Sequence, residues 1–443
     1  MHPLSHNRAV VALSVLCIAL FVLLFTQFQA LGTLRSNILP TSALLGHLGI
    51  DSYRPKVDHG SHKYKWVPEN QRAIHQLFGC MERGDCSQNQ TKVVILASYE
   101  FIGARQAGSY IGGETVWAMS IIRALKNMGY TILYATGPRV AIEFYHLFDD
   151  LVEMVIMHPQ QIDECYGMDL CLKTETNPAG IPAWRIQALH FWQNPGNPLG
   201  RKWTLSPEDY GSNNYVGYSI EEQCKMRPFV PHEERLRQAY ILAKYYMFFN
   251  AKDTAWPPAY YEAAVNETGI RFVMAASMTT RPDLFPEPKD APTAIHNMGG
   301  ILSQEDFYGN LSSSMLLVGV GNPALSPTPY DALCLGVPFL NVVRNWDKNH
   351  PDDRNAWGTQ HDALRKLTTP HVYHVFQGDQ AGFMNAIRSA MENPIERFVP
   401  EHMKIEAVEF RLGSLIEHDW KAEAEELLER RKSGKEKGAL FVI

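Results

Sequence analysis

Short runs of apolar residues alternate with helical patterns along the chain after residue 92. "KVVILAS" is typical of a buried strand in a parallel sheet. A loop of small residues follows, and then Val116, Met119, Ile122 and Leu125 recur at helical spacing. "YTILYAT" and "DLVEMVIM" predict two further strands. This part of the chain therefore begins as a strand–helix–strand unit.

A second series of apolar runs begins near residue 236. "QAYILAKYYMFF", "IRFVMAAS", "MLLVGVG" and "VPFLNVV" are interpreted as strands. Ser303 and Asp306 form a capping-box pattern at the start of one helix, and "TPYDALCLG" predicts another that Thr328 caps and Gly336 ends. The pattern therefore predicts two α/β halves, in which ligands bind beyond the carboxyl ends of the strands.

Three stretches lack this alternation. Residues 32–91 mix prolines, charges and short apolar pieces and are predicted to form a stem. Residues 158–235 are dense in Pro, Asn, Gly and aromatics, which indicates a long functional insertion. Its aromatic faces suit either a sugar or packing onto the core. Residues 401–443 are predicted to form a long amphipathic helix and a solvated basic tail.

The N-terminus carries a stretch without formal charge between Arg8 and Arg35. It is long enough to cross a bilayer as one helix. We predict a cytoplasmic tail over residues 1–8, a signal anchor over 9–31 and a lumenal remainder. Ala30-Leu31-Gly32 leaves cleavage of a signal peptide as the alternative.

Cysteines and glycosylation sequons fit a lumenal location. Six cysteines follow the predicted anchor, including the evenly spaced pairs Cys80/Cys86 and Cys165/Cys171, whereas Cys334 lies in an apolar run typical of a reduced, buried thiol. Six cysteines allow 15 pairings, and the sequence does not choose among them. The predicted glycosylation sites are Asn89, Asn266 and Asn310.

Composition and missing motifs exclude several function classes. Hydrophobic residues make up 45% and charged residues 20% of the chain, as in globular proteins, and the net charge of −6 argues against a nucleic-acid partner. The sequence contains no dinucleotide fingerprint, P-loop or G-x-S-x-G elbow. It contains no D-x-D motif and no dependable ligand spacing, so no metal site is predicted.

"SYIGGETVWAMSIIRAL" places a glutamate where a glycine turn becomes a helix. Glu114 at that position is either favoured by the helix dipole, by about 0.3–1 kcal/mol, or the carboxylate of an active site. The dipole explains a glutamate without explaining Gly112 and Gly113. Two glycines would let the turn approach a ligand closely.

The segment "GVGNPALSPTPYD" joins a predicted strand to a predicted helix. Free N–H groups at such a helix start attract phosphate, and basic side chains such as Lys244 would add to this attraction. Asp331 would either contact the ribose of a nucleotide or complete a capping box with Thr328. Both interpretations remain open at this point.

The chain resembles the catalytic domain of glycosyltransferase family 18, the α-1,6-mannosylglycoprotein 6-β-N-acetylglucosaminyltransferases. The segments that carry the resemblance are "GGETVWAMSIIRALKNMGY", "RKWTLSPEDYG", "NNYVGYSIE", "HNMGGILSQEDFYGNLSSSMLLVGVGNPALSPTPYDALCLGVPFLN", "LRKLTTPHVYHVF" and "NPIERFVPEHM". The resemblance implies two Rossmann-like domains of GT-B type facing a cleft, over residues 92–235 on the acceptor side and 236–400 on the nucleotide side. It also implies transfer of GlcNAc from UDP-GlcNAc in β-1,6 linkage to a mannose of an N-linked glycan, with inversion, without a metal ion, at the Golgi membrane.

The resemblance also assigns residues. Glu114 matches the catalytic base, which takes the proton of the attacking hydroxyl. The residues expected at the acceptor are Glu100, Trp203 and Glu221. The residues expected at the donor are Gly112, Gly113, Lys244, Gly300, Ile301, Gly321, Ser326, Thr328 and Asp331.

Three departures from the family pattern keep alternatives open. Asp331 stands where the family has glutamate, Gly299 where it has histidine, and the family's donor-contacting lysine has no clear counterpart. The alternatives are a GT-B transferase with a different donor or acceptor, and a membrane-anchored carbohydrate-binding protein without activity.

Overall fold

A computed structural model of the protein describes residues 65–106, 112–249, 254–277 and 292–443. The predicted cytoplasmic tail and membrane anchor lie outside the described residues. None of the helices that the structure describes is long and apolar enough to cross a membrane.

The described chain alternates strands and helices, as the apolar pattern predicts. The strands are β1 (Val93–Leu96), β2 (Thr131–Tyr134), β3 (Val152–Met157), β4 (Ile186–Leu189), β5 (Thr204–Ser206), β6 (Asn214–Tyr215), β7 (Gln238–Leu242), β8 (Arg271–Met274), β9 (Ile295–Asn297), β10 (Leu316–Gly319), β11 (Phe339–Asn345), β12 (Gly358–Thr359) and β13 (Val372–Phe376). The α-helices are α1 (Trp66–Arg83), α2 (Tyr99–Ala104), α3 (Gly113–Asn127), α4 (Pro138–Phe148), α5 (Pro159–Tyr166), α6 (Glu221–Lys225), α7 (Pro258–Thr268), α8 (Gln304–Ser312), α9 (Thr328–Cys334), α10 (Gln380–Glu392), α11 (Ile405–Ile416) and α12 (Trp420–Lys432).

The first sheet is parallel throughout, with the strand order β2-β1-β3-β4-β5-β6. Successive side chains of β1 enter different core clusters, Val94 and Leu96 one cluster, Val93 and Ile95 another. Both faces of the strand are therefore covered, which explains why it is a continuous apolar run. The strand order reverses between β1 and β3.

Residues 158–235 are not an insertion. They contain β4, β5 and β6, which extend the first sheet, together with α5 and α6. These strands have between two and four residues and are separated by segments rich in Pro, Asn and Gly. Strands this short leave almost no apolar period, which is why the sequence pattern predicted irregular structure.

The stem prediction is wrong for residues 66–83, which form α1. This helix packs against β2, and Asn70 exchanges two hydrogen bonds of 2.8 Å with the backbone of Tyr134. Leu77 is fully buried in the same cluster as Val93. Helix α1 is therefore a layer of the first half and not part of a stem.

The second sheet has the order β12-β11-β10-β7-β8-β9, and β13 also pairs with β11. All pairings are parallel except that of β11 with β12. Strand order reverses between β7 and β10. The two sheets confirm the predicted pair of α/β halves.

The end of the chain returns to the first half. Helix α11 packs against α3, and Trp420 of α12 packs against Trp203 with ring centroids 5.5 Å apart. The predicted single helix is two helices, because Asp419 caps the second through the N–H of Ala422. The predicted solvated tail folds back, and the carbonyl of Ile443 accepts a 2.8 Å bond from a first-half lysine.

Three disulfides are formed among the described residues, Cys80–Cys86, Cys165–Cys171 and Cys224–Cys334. The interpretation of Cys334 as a reduced thiol is wrong. Cys334 is instead half of a buried disulfide. Both cysteines of this disulfide are almost fully inaccessible to solvent.

Candidate functional site

The carboxyl ends of β1, β3 and β4 meet at one edge of the first sheet and bring several polar side chains together. Ser98, Tyr99 and Glu100 follow β1, His158 directly follows β3, and His190 directly follows β4. Strands β1 and β3 flank the reversal of strand order. The crevice at such a switch point is where open α/β sheets bind ligands.

Glu114 lies in the first turn of α3, whose N-cap is Gly112, as the glycine pattern predicted. Its side chain is exposed. Burial first, and then the charges of Glu100 and Glu114, raise the pKa of Tyr99 to about 12. The carboxylate is therefore open to a substrate and electrostatically coupled to the groups that follow β1.

Glu100 is the buried partner of this exposed carboxylate. Its side chain is 9% exposed, and one carboxylate oxygen accepts a hydrogen bond from the Ser98 hydroxyl. Burial, and to a smaller extent the charge of Glu114, raises the pKa of Glu100, while the bond from Ser98 opposes the shift. The structure thus brings together two of the predicted residues, Glu100 and Glu114.

The start of α3 contacts the second half directly. A Cβ on Gly113 would lie 3.2 Å from Cζ of Phe191 and 3.2 Å from Cδ of Pro327. Pro327 belongs to the loop that follows β10 in the second half. A side chain at residue 113 would press on both neighbours, which would have to move by a few tenths of an ångström to admit it.

Two buried side chains form hydrogen bonds with the backbone of the loop after β10. Gly321 N–H donates to Oε1 of Gln360 at 2.9 Å, and Nε2 of His361 lies 3.0 Å from the carbonyl oxygen of Ser326. Gln360 and His361 are each 1% exposed. These contacts fix the loop that abuts the start of α3.

Thr328 and Asp331 do not form the predicted capping box. Helix α9 begins at Thr328, its N-cap is Pro327, and no side chain caps it. The Asp331 carboxylate is 5% exposed and accepts a 2.9 Å bond from the Tyr308 hydroxyl. The local pattern missed this role because Tyr308 lies 23 residues away along the chain. A buried Asp331 gives no support to the predicted ribose contact.

Asp331→Asn is expected to weaken the pH dependence of stability. Burial raises the pKa of Asp331 to about 7 from its ordinary value of 3.8, so the folded protein favours the neutral acid. This contribution is fully present below about pH 4 and is lost as the pH rises through 7. The wild type should therefore lose about 1 kcal/mol per pH unit more than the variant between these limits.

Urea unfolding of both proteins from pH 4.5 to 7.5 measures this difference, with Asp352→Asn in an exposed loop as the control. Parallel stability curves for wild type and Asp331→Asn would contradict the expectation. UDP affinity measured on the same variant tests the ribose contact separately.

Other predicted donor residues lie at the carboxyl edge of the second sheet. Lys244 follows β7, with Nζ 5.4 Å from the ring centroid of Tyr245, and its carbonyl accepts the N–H of Ser277 at 3.0 Å. Gly300 follows β9 with φ 77°, and Ile301 is 61% exposed. Lys244, Gly300 and Gly321 therefore share one edge of the sheet, although they follow different strands.

Trp203 and Glu221 are buried and make structural contacts, which give no support to their predicted place at the acceptor. Trp203 is 1% exposed, and its Nε1–H donates to the carbonyl of Trp184 at 3.2 Å. Glu221 is 7% exposed and accepts the backbone N–H of Ile405 at 2.8 Å. One packs against α12 and the other satisfies the start of α11, so neither lies open to a glycan.

The three sequons lie in different surroundings. The Asn89 amide donates to the carbonyl of Met128 at 2.9 Å, and the Asn310 amide donates to that of Asp306 at 2.8 Å. Asn266 is exposed on α7. Glycosylation at all three residues stays a prediction, and Asn266 is the most accessible of them.

Sequence reasoning missed His158 and His190, whereas Trp192 is one of the aromatic residues of 158–235 that were interpreted as suiting either a sugar or packing onto the core. Each histidine is the first residue after a buried strand, a position that points to the carboxyl edge of a parallel sheet. Trp192 is 48% exposed, and its backbone N–H donates to Nδ1 of His190 at 3.2 Å. The available signal was therefore strand order, which the sequence pattern does not supply.

No cluster of three or more His, Cys, Asp or Glu side chains within the described ranges could hold a metal ion. Metal independence nevertheless stays a prediction.

Two solved structures match most of the chain at low similarity. An α-glucosyltransferase in complex with UDP-glucose and DNA is 7% identical, with a TM-score of 0.41 over 76% of this chain and 99% of that chain. UDP-GlcNAc 2-epimerase from Neisseria meningitidis is 10% identical, with a TM-score of 0.38 over 74% of this chain and 100% of that chain.

The chain is similar in sequence to two kinds of alpha-1,6-mannosylglycoprotein 6-beta-N-acetylglucosaminyltransferase. The alpha-1,6-mannosylglycoprotein 6-beta-N-acetylglucosaminyltransferase A of Homo sapiens is 24% identical over 250 residues, which are 52% of this chain and 31% of that protein. The B enzyme of Homo sapiens is 24% identical over 140 residues, which are 30% of this chain and 18% of that protein. The chain thus spans about a third or less of the length of these relatives.

The sequence profile of glycosyltransferase family 18 matches residues 201–427, which is just over half of the 443 residues. The match runs from the last strands of the first sheet through the second sheet to α12. It includes the loop after β10 that contacts Gly113. The chain belongs to glycosyltransferase family 18.

Proposed function

We propose that the protein transfers GlcNAc from UDP-GlcNAc in β-1,6 linkage to a mannose of an N-linked glycan, with inversion at the sugar carbon. The observation that carries this proposal is the exposed carboxylate of Glu114 at the switch point of the first sheet, beside a fixed loop of the second half. Family membership and the names of the relatives support the donor and the acceptor.

In this proposal the second half binds the donor and the first half provides the base, as in a GT-B enzyme. The carboxyl edge of the second sheet, with Lys244, Gly300 and Gly321, is proposed to hold the nucleotide sugar. Gly113 lies in close contact with the Gly321–Thr328 loop through Pro327. A donor bound along that loop therefore presents its anomeric carbon toward the start of α3.

Glu114 acts as the general base in this arrangement. Its carboxylate takes the proton of the acceptor hydroxyl as the oxygen forms a bond to the anomeric carbon, and the bond to UDP breaks. One displacement on one face inverts the configuration. An exposed carboxylate meets this requirement because the acceptor hydroxyl must reach it from solvent.

Trp192 is proposed to take the acceptor-side role that was predicted for Trp203. Its ring is 48% exposed and packs edge-on against Phe191, with centroids 5.4 Å apart. Phe191 in turn lies beside Gly113. A large aromatic face so close to the proposed base suits a sugar ring, which stacks on aromatic side chains.

The proposed location rests on the predicted membrane anchor and on the disulfides. We propose a single-pass type II protein of the Golgi membrane, anchored through residues 9–31, with the catalytic part in the lumen. The described disulfides fit an oxidising compartment.

An assay of UDP release by the purified full-length protein tests the function directly. The donors to compare are UDP-GlcNAc, UDP-glucose and UDP-galactose, each with and without an α-mannoside acceptor. Faster release from UDP-GlcNAc that depends on the mannoside supports the proposal. Binding of the mannoside without UDP release from any donor would identify a carbohydrate-binding protein instead.

Activity is expected to persist in EDTA, because the sequence has no D-x-D motif and basic and N–H groups would meet the diphosphate charge. The measurement compares UDP release in millimolar EDTA with release in manganese. Loss of activity in chelator that manganese restores would contradict the expectation.

A further inference from the structure

A cavity of about 480 Å³ lies at the edge of the first sheet. Its lining comes from α1, from the segment before β1, from the end of α3 and from β2, which is the edge strand. Its size is within the range of small-molecule sites, about 300–1,000 Å³. None of its lining residues belongs to the candidate site, so this edge cavity is a separate feature of the first half.

Helix α1 presents one face to the edge cavity. The lining residues of this helix are Glu69, Arg72, Ala73 and Gln76, whose spacing of three and four places them side by side. Arg72 is exposed and forms no ion pair or hydrogen bond with any residue that the structure describes. The side-chain amide of Gln76 is likewise unbonded within the described chain. Both groups are therefore available to a ligand.

Positive charge is in excess at the edge cavity. Nε of Arg105 lies 3.1 Å from Oε2 of Glu69, and Nζ of Lys126 lies 3.4 Å from the same oxygen. With Arg72, three cationic side chains stand against one carboxylate. In a chain with a net charge of −6, this local excess favours an anionic ligand. A guanidinium binds a carboxylate through two parallel hydrogen bonds.

The edge strand adds an unused pair of backbone groups. The N–H groups of Thr131 and Ala135 donate to the neighbouring β1 segment at 3.1 and 2.9 Å. Because bonding direction alternates along a strand, Ile132 and Tyr134 direct their N–H and C=O groups outward. Asn70 satisfies both groups of Tyr134 with two bonds of 2.8 Å. No described residue does this for Ile132, which lines the edge cavity.

These groups define the chemistry of a ligand. An acetamido group matches an outward backbone pair, because it carries one N–H donor and one C=O acceptor as a peptide group does. Arg72 matches a carboxylate. The amide of Gln76 can donate to and accept from hydroxyls. A sugar acid with an N-acetyl group carries all three kinds of partner.

We propose that the edge cavity binds a sugar that carries both a carboxylate and an acetamido group, as sialic acids do. Arg72 holds the carboxylate, and the backbone of Ile132 pairs with the acetamido group. The inference does not depend on the catalytic role of Glu114. It gives the protein a second carbohydrate site, through which it recognises an acidic glycan.

Calorimetric titration of the full-length protein at low ionic strength tests the proposal. The probes are N-acetylneuraminic acid, N-acetylglucosamine, which has no carboxylate, and glucuronic acid, which has no acetamido group. N-acetylneuraminic acid should bind roughly 10-fold more tightly than either, because each of the others lacks one anchoring group. Equal affinities for the three sugars would overturn the proposal.

Arg72→Gln removes the guanidinium and should weaken binding of N-acetylneuraminic acid roughly 10-fold or more. Its thermal midpoint should stay near that of the wild type, because Arg72 has no partner among the described residues. Arg139→Gln is the matched control, since Arg139 is an exposed arginine on α4 of the same half and does not line the cavity. Unchanged affinity in Arg72→Gln, or an equal loss in both variants, contradicts the assignment of Arg72.

Backbone amide NMR locates the bound sugar. The amide signal of Ile132 should shift during titration of the wild type with N-acetylneuraminic acid and should stay in place in Arg72→Gln. Shifts confined to residues around Glu114 would show that the sugar binds at the candidate site instead, and the inference about the edge cavity fails. Absence of UDP release from any donor would contradict the proposed function and would leave this test intact.

Discussion

Replacing Glu114 with glutamine is expected to lower kcat by about 10²–10⁴-fold and to leave UDP affinity close to that of the wild type. Glutamine keeps the size of the side chain in the first turn of α3 but accepts no proton. The acceptor hydroxyl then has no base in the transition state, while donor contacts on the second half are unchanged. Steady-state kinetics with saturating acceptor and a UDP titration measure the two effects.

Glu305→Gln is the matched control, because Glu305 is also an exposed glutamate in the first turn of a helix. It reports the cost of removing a charge from a helix start, which is on the order of 0.3–1 kcal/mol of stability. If Glu114→Gln keeps more than about a tenth of the wild-type kcat, Glu114 is not the base. Glu100 then becomes the next candidate.

Removal of the Cys224–Cys334 disulfide by a double alanine substitution should lower the free energy of unfolding by about 4–5 kcal/mol. The two cysteines are 110 residues apart in sequence, so the bond closes a long loop that is free in the unfolded chain. It ties α6, after the first sheet, to α9 of the second half. Urea unfolding without reductant measures the loss.

The Cys80–Cys86 disulfide provides the comparison, because its cysteines are only six residues apart. The same chain-entropy argument gives about 2 kcal/mol for its removal. Equal losses for the two double variants would show that loop length does not determine the stabilisation. A larger loss from the short loop would show that local packing at α1 dominates.

Helices and buried strands were predictable because their causes are local. The continuous apolar run of β1 and the glycine turn before Glu114 each need only a few neighbouring residues to be interpreted. The short strands β5 and β6 gave no such pattern, because they have only three and two residues. Their sheet pairing comes from neighbours that are distant in sequence.

The direction of single side chains was much harder to predict. Trp203 is buried by Trp420, Glu221 is bonded to the backbone of Ile405, and Asp331 to Tyr308. Each partner lies at least 23 residues away, and two of them lie on the returning helices. The position of Glu114 was easier to predict, because the start of a helix determines it without a partner that is distant in sequence.

Because α11 and α12 pack on the first half, the first half cannot complete its folding until the end of the chain has been synthesised. Lys202 pairs with Glu423, which lies 221 residues later in the sequence. Trp203 packs against Trp420, which is synthesised after a similar interval. At typical elongation rates that interval is on the order of 10–40 seconds. During synthesis the first sheet can form its strands, but its outer apolar surface stays uncovered until the last helices emerge. Chaperone binding to the nascent N-terminal half is the expected cellular consequence.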